Sequence, residues 1–417
     1  MSGSSSSPQR VVVVGAGMVG LSTAWFLQER GVQVTVIDRE GVAAGSSWGN
    51  AGWLSPGLAA PLPEPSVLRY GLKALFDPSA ALYVPFKFDP TLWGFLARFA
   101  MNCTSRQWKK AMDSYLEINA LALDAFDHLG REGVPAATIS APIMASFEHA
   151  DQAQDLRHEF SLLHQAGQHL HVTELNGDDA RMIAPQLSER IELVLQLHGQ
   201  RYLDPGAFVN SLADSVVARG AVLRTGEGVR ALAQDANGVT VATANGDALR
   251  ADAAVVATGA WLGDLASRFG VRMRVQAGRG YSFSVATSEP VPSPLYFPVT
   301  RVACTPYRGG LRVGGTMEFR SREAPVSDKR VEALVKGAKP VLRGVDWDSI
   351  ADVWVGSRPV TADGLPLVGA TSSSRIFVAG GHGMWGMTLG PVTGKLLAEQ
   401  IVTSHQPTGL RAFSPLR

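Results

Sequence analysis

Residues 10–40 read RVVVVGAGMVGLSTAWFLQERGVQVTVIDRE. Four consecutive valines, Val11 to Val14, make a strand that is apolar on both faces, as expected at the centre of a parallel sheet covered on each side. Gly15, Gly17 and Gly20 follow at G-x-G-x-x-G spacing and open a helix in which Val19, Ala24, Phe26 and Leu27 fit a core-facing side. Gly31 ends that helix, and VQVTVID (32–38) forms a second strand that finishes on Asp38. The spacing has a mechanical reason. Gly15 permits a tight turn, Gly17 lets a pyrophosphate touch the backbone, and Gly20 lets the helix lie close on the strand. The helix N-terminus then faces phosphate charge, and Asp38 can accept hydrogen bonds from an adenosine ribose, with Arg39 beside it. Strand, glycines, helix, strand and acid in one unit predict a dinucleotide site, although NAD and FAD both stay open at this point. An acid at position 38 argues against a 2′-phosphate, and so against NADP.

At 417 residues, with 46% hydrophobic and 18% charged, the chain can bury a large core and is expected to form two domains. A formal net charge of +1, without a basic run, gives no electrostatic case for a nucleic-acid partner. Cys103 and Cys304 are too few and too far apart for a disulfide framework or a thiolate metal site, which points to a reducing compartment. The nine histidines include His169 and His171 but no HExxH spacing, so no metal is expected. Residues 1–9, MSGSSSSPQ, lack the basic and apolar regions of a signal peptide and are expected to be disordered. No window approaches the roughly 18 continuous apolar residues of a membrane span, so a cytoplasmic location is expected. Residues 70–99 concentrate aromatic and apolar residues with a few basic ones. They read as buried helices, a lid, or a contact for a quinone or the inner face of a membrane.

The chain returns to the nucleotide domain after a long excursion. Residues 201–271 read as a helix capped by Asp204 with Pro205 in its first turn, then short strands joined at Asn237-Gly238 and Asn245-Gly246, with Val229 a candidate cofactor contact. A buried strand then runs into Ala257-Thr258-Gly259, a second strand-to-glycine element suited to a dinucleotide with two ends to hold. Residues 76–200 look largely helical, and 272–350 carry short alternating strands such as GYSFSV (280–285). The expected organisation is interleaved: 10–75, 201–271 and 351–417 for the nucleotide, and 76–200 and 272–350 for the substrate. The fold class is α/β, a Rossmann-type domain with an α+β domain built on a mixed, largely antiparallel sheet.

Near the end, GGHGMWGMTLG (380–390) holds five glycines in eleven positions, ahead of an amphipathic helical stretch, PVTGKLLAEQIV (391–402). Glycine in this quantity at a helix start implies backbone lying close to something.

Taken together, these segments resemble the flavin-dependent D-amino-acid oxidase superfamily, within it the D-amino-acid dehydrogenase and glycine-oxidase-like branch. The resemblance covers nearly the whole chain after residue 9. It rests on residues 11–40, AAGSSWGNAGWLSP (43–56), LDPGAFVNSLA (203–213), VVATGAW (255–261), GYSFSV, LRVGGTMEF (311–319), WVGSRPVTADGLPLVG (354–369) and IFVAGGHGMWGMTLGP (376–391). It implies FAD stretched between the first glycine turn and the last one. The late segment would then run beside the isoalloxazine ring through Gly381, Gly383, Met384, Gly386, Met387 and Thr388. The following helix would point its positive end at the ring edge that gains charge on reduction. The resemblance gives Ser46, Ser47, Asn50, Ala51 and Gly52 contacts to the pyrophosphate and the inner ring edge. Trp48 stands in the variable place of that stretch and cannot bond the flavin covalently, which favours non-covalent FAD.

The resemblance also implies that Arg358 binds a substrate carboxylate bidentately and so orients the alpha carbon. Tyr281 and Tyr307 are candidate second contacts, with Arg279 a further one, and His382 either touches the flavin or fills a turn. In the implied reaction, a neutral amine passes hydride from its alpha carbon to flavin N5, and the imine hydrolyses to an oxo acid and ammonia. No side-chain acid or base is needed, in keeping with the absence of a Ser-His-Asp, Cys-His or paired-carboxylate signature. The expected activity is oxidation of a small amino acid, D favoured, with oxygen, a quinone or a carrier protein as electron acceptor. A secondary amine or imino acid is the alternative substrate, and a non-catalytic FAD-binding subunit is the alternative of another class.

Overall fold

The computed structural model describes residues 7–67, 82–85 and 88–417 of the chain. Residues 1–6 of the expected disordered segment, and residues 70–81, 86 and 87 of the aromatic stretch, lie outside the described residues. Residues 7–9 are held rather than disordered. Ser7 Oγ donates to the Val402 carbonyl, the Gln9 amide donates to the Asp252 carboxylate, and Gln33 N–H donates to the Gln9 carbonyl. They extend the first strand's hydrogen-bonding ladder by a residue or two, which composition alone does not show.

β1 (Arg10–Val14), α1 (Met18–Glu29) and β2 (Gln33–Ile37) form the unit that the opening stretch predicts. β1 lies inside a six-stranded sheet, parallel to β2 on one side and to Ala253–Val256 on the other. Val222–Arg224 continues the sheet beyond β2, Ile376–Gly380 continues it beyond Ala253–Val256, and the antiparallel strand Leu367–Ala370 closes it. The four valines alternate between two cores. Val11 and Val13 face the helical side with α1, while Val12 and Val14 pack with Val239, Val241 and Leu262 on the other side. This two-sided burial explains why the strand does not alternate with polar residues.

α1 is buried on more than the single side that its pattern suggests, because Pro205–Ala218 and Gly386–Thr403 both pack on it. The closest approach is at glycines. A Cβ at Gly394 would lie 2.6 Å from the Ser22 carbonyl carbon, and one at Gly390 would lie 2.5 Å from Met18 Cγ. The last helix begins at Gly386, five residues ahead of the amphipathic stretch, and carries Pro391 inside it. Its N-terminus therefore comes to lie beside that of α1.

The second layer is a nine-stranded mixed sheet that includes Val275–Thr287, Gly310–Phe319 and Val345–Thr361. The expected boundary between residues 350 and 351 falls inside the last of these strands, whose whole length pairs with Val275–Thr287. Residues 76–200 are also less helical than expected, because Ile143–Phe147, Val172–Asn176 and Leu193–Leu197 enter the same sheet. One face of the sheet packs Tyr281, Phe283, Val302, Cys304 and Val313 into a core with Leu334 of the helix Asp328–Ala338. The other face carries the small residues Gly280, Ser282 and Gly314, and it is crossed by the loop after β2 through a 2.8 Å bond from Ser282 Oγ to the Gly49 carbonyl. Among the described residues, no helix is long and apolar enough to cross a membrane.

Candidate active site

A cavity of about 310 Å³ runs from the end of β1 to the start of the last helix. Its near end is built by the first glycine turn. Gly15 takes φ +116°, and a Cβ there would lie 2.4 Å from the Ala257 carbonyl oxygen, so only glycine fits between the two strand-to-turn elements. A Cβ at Gly20 would lie 2.0 Å from the Gly15 carbonyl oxygen, so Gly20 serves helix–strand contact and does not line the cavity. Gly17 does line it, and within 4 Å its Cβ would meet only Ser47 Oγ, at 3.2 Å. Gly17 caps α1 without a side chain, and Ser47 Oγ accepts from the Met18 amide at 3.2 Å in its place.

Asp38 lines the same end, with its carboxylate oriented by three backbone amides. Oδ2 accepts from Ala16 N–H at 2.9 Å, and Oδ1 accepts from Glu40 and Gly41 N–H. The Arg39 guanidinium lies over the Trp261 ring at 3.9 Å, and both residues line the cavity with Val229, Thr258 and Gly259. Trp261, Glu227 and Arg230 were not singled out in the sequence. Arg230 reaches it from the strand Val229–Asp235, Trp261 from the turn Gly259–Trp261, and Glu227 from the loop before that strand.

In the loop after β2, Ser46 and Asn50 line the cavity, and Ser46 Oγ also donates to the Ser357 carbonyl. Ala51 and Gly52 do not line it. The Ala51 carbonyl accepts from Thr305 Oγ1 at 2.6 Å, and Gly52, at φ +80°, packs where a Cβ would lie 2.2 Å from the Leu203 carbonyl oxygen. The lack of a side chain at Gly52 serves contact with the chain at Leu203. The Trp48 ring turns toward Gly206 and the Arg312 guanidinium, which is 4.8 Å from it, and so away from the cavity.

At the far end, His382, Gly383, Met384, Gly386 and Met387 line the cavity. Gly381 does not. At φ +73° it packs where a Cβ would meet Thr361 Cγ2 at 2.9 Å, and so joins the two sheets. The Thr388 hydroxyl donates to the Trp53 carbonyl and accepts from Ser55 N–H, so it ties the last helix to the crossing loop rather than facing the cavity. No side chain caps the last helix, which leaves its first-turn amides available at Gly386 and Met387.

His382 is buried, with Nε2 3.0 Å from Thr393 Oγ1 and Nδ1 unpartnered. Burial pushes its imidazole down to about 4 from an ordinary 6.5, so it is neutral at physiological pH and is no proton donor there. The neutral ring favours the folded state fully above pH 6.5, and this contribution is lost as pH falls toward 4. Thermal melts at pH 4.5 and 7.5 are expected to show a smaller acid-induced loss for His382→Asn than for the parent. An equal loss in both would place the acid sensitivity elsewhere.

Arg358 joins this end from the nine-stranded sheet. It lines the cavity, its Nη1 donates to the Thr316 carbonyl at 2.8 Å, and no acidic side chain among the described residues pairs with it. Burial lowers its pKa to about 10, so it remains a cation at neutral pH. None of the three candidate second contacts lines the cavity. Tyr281 points to the opposite face of the sheet, where its hydroxyl donates to Glu318 Oε1 at 2.7 Å, and the same oxygen accepts from Arg279 Nη1 at 2.9 Å. Period-2 alternation separates Tyr281 and Arg279 from Gly280 and decides their side. Tyr307 is buried against the Arg312 guanidinium at 4.0 Å and does not line the cavity. Arg312, also missed in the sequence, is buried and anchors the crossing loop through Nη1 to the Trp48 carbonyl at 2.6 Å.

The lining suits an extended dinucleotide. Among the described residues, the buried Thr258 Oγ1 and His382 Nδ1 have no partner, and Gly259 and Gly383, both at φ +55°, have nothing within 4 Å of where a Cβ would stand. A Rossmann unit, two helix N-termini on one cavity and an unpaired guanidinium reaching in from a second sheet define a dinucleotide-dependent oxidoreductase with an interleaved substrate domain. The model of the family described as FAD dependent oxidoreductase matches residues 10–400, and the chain belongs to that family.

A D-amino acid dehydrogenase of Methylobacterium sp. (strain 4-46) is 29% identical over 415 residues, covering 98% of this chain and 99% of the relative. The glycine oxidase structure from Geobacillus kaustophilus superposes with a TM-score of 0.72 at 23% identity, covering 98% of this chain and 99% of that one. The dithionite-reduced L-alpha-glycerophosphate oxidase of Mycoplasma pneumoniae with FAD bound also superposes at 0.72, with 17% identity and 94% of each chain covered. These two likenesses show the fold. The protein is thus an FAD-dependent oxidoreductase.

Proposed function

We propose that the chain oxidises the alpha carbon–nitrogen bond of a small amino acid, D favoured, and holds FAD without a covalent link. The observation that carries this is Arg358, a buried cation facing the cavity with no acidic partner among the described residues. An unpaired guanidinium in such a place is costly unless an anion completes it, and a substrate carboxylate matches its planar fork. Gly15, Gly17, Asp38 and Ser47 would hold the adenosine and pyrophosphate, with Arg39, Val229, Thr258 and Gly259 beside them. His382, Gly383, Met384, Gly386 and Met387 would lie along the ring system. Bound FAD supplies a two-electron acceptor for the substrate's alpha hydrogen as hydride.

The chain's own part is orientation and charge. Arg358 fixes the carboxylate and hence the alpha carbon, and the first-turn amides of the last helix face the cavity with their positive dipole end. Neutral His382 adds a hydrogen-bonding ring and no charge. The relative's name, D-amino acid dehydrogenase, supports D-amino acids. An anaerobic absorbance titration with a panel of D-, L- and N-methyl amino acids tests this reading. Bleaching by D-amino acids is the expected result. Bleaching by L-amino acids alone would overturn the stereochemistry, and bleaching by N-methyl compounds alone would make the substrate a secondary amine.

A further inference from the structure

Strand Gly310–Phe319 pairs antiparallel with Val275–Thr287, but the register slips where the cavity approaches. Arg279 stands opposite Glu318, whereas Tyr281 stands opposite Gly315, so the strand carrying Thr316 and Met317 holds one residue too many. This is a β-bulge, and bulges re-aim groups next to functional sites.

Thr316 sits in it at φ +55°, a left-handed conformation that a β-branched side chain strongly disfavours. Its hydroxyl does not explain the conformation, because Oγ1 is buried without a hydrogen-bond partner among the described residues. Its carbonyl does. Turned out of the ladder, it accepts from Arg358 Nη1 at 2.8 Å. Gly280, the residue skipped by the register slip, lies beneath the same guanidinium, where a Cβ would come 2.1 Å from Arg358 Cζ.

Bulge, left-handed threonine and glycine floor therefore form one seat. Strain of this kind persists only where the surrounding structure over-determines it, and it concentrates at ligand clamps. We propose that Thr316 is a positioning residue: its strained backbone aims a carbonyl that holds one nitrogen of Arg358 and leaves the rest of the guanidinium fork free for a substrate carboxylate. The inference rests on the carboxylate role of Arg358 proposed above.

The test uses FAD-loaded protein, with acetate as a carboxylate probe and acetamide as its uncharged counterpart, both read by perturbation of the flavin spectrum. Thr316→Asn tolerates the left-handed turn and is expected to keep the acetate Kd within about twofold of the parent. Thr316→Val lacks only the hydroxyl and is expected to do the same, because that hydroxyl makes no bond. Thr316→Pro cannot adopt positive φ, and it is expected to weaken acetate about tenfold while acetamide binding stays unchanged, the effect of losing one hydrogen bond to a charged group.

Parent-like acetate binding by Thr316→Pro would overturn the proposal. So would a tenfold loss in Thr316→Val, which would assign the role to the hydroxyl and which decides the matter even if the proline variant takes up no FAD. An Arg358→Ala protein that binds acetate like the parent is a different result, since it removes the clamp itself rather than its seat.

Discussion

Arg358→Ala is expected to take up FAD like the parent and to lose amino-acid-dependent bleaching by roughly a hundredfold in kcat/KM, corresponding to about 3 kcal/mol for one partner of a charge-assisted pair. The fold should survive. Arg358 makes one hydrogen bond, to the Thr316 carbonyl, and no ion pair among the described residues, so its removal strands no buried carboxylate. Arg358→Lys should fall between the two, because an ammonium keeps the charge and loses the planar fork. Anaerobic stopped-flow reduction of each variant measures the effect. Bleaching of Arg358→Ala at the parent's substrate dependence would remove the carboxylate clamp, and with it the reason for placing the substrate at this end of the cavity.

Alanine at Gly15 and alanine at Gly17 are expected to fail in different ways, although both glycines belong to one turn. At Gly15 the backbone is at φ +116° and the new Cβ would sit 2.4 Å from the Ala257 carbonyl oxygen, so the two central strands must separate. A loss of at least about 3 kcal/mol of stability is expected, enough to prevent accumulation of folded protein. At Gly17 the backbone is extended, with φ −86°, and the new Cβ would meet only Ser47 Oγ at 3.2 Å. Gly17→Ala should therefore fold, while its methyl group keeps phosphate off the helix N-terminus and weakens FAD binding at least tenfold, about 1.4 kcal/mol. Thermal melts of apoprotein and fluorescence titration with FAD separate the two effects. If Gly17→Ala proves as unstable as Gly15→Ala, or binds FAD as well as the parent, Gly17 has been given the wrong task.

The Gly15 end of the cavity was legible because its determinants are local. Gly15, Gly17 and Asp38 lie within one βαβ unit, and each needs only its immediate neighbours to reach its place. The Arg358 end was harder to read. Tyr281 is one residue from Gly280, and only the pleat decides that one faces Glu318 and the other lies beneath Arg358. Thr316 carries no sequence signal at all. A threonine in a strand is ordinary, and its left-handed turn arises from a register slip against a strand some 35 residues away. Ala51, Gly52, Gly381 and Thr388 show the converse error, since small or polar residues near a ligand can serve chain-to-chain contact instead.

By itself, the sequence determined the class of fold and marked Gly15, Gly17 and Asp38, which line the cavity. These follow from spacing along a single segment, where helix and strand periodicity set which atoms meet. Only the tertiary structure decided which face of the nine-stranded sheet turns to the cavity, that Tyr281 and Tyr307 stay away from it, and that a bulge seats Arg358. Those outcomes depend on the pairing of strands remote in the chain, and a one-residue change of register there moves every side chain to the other face.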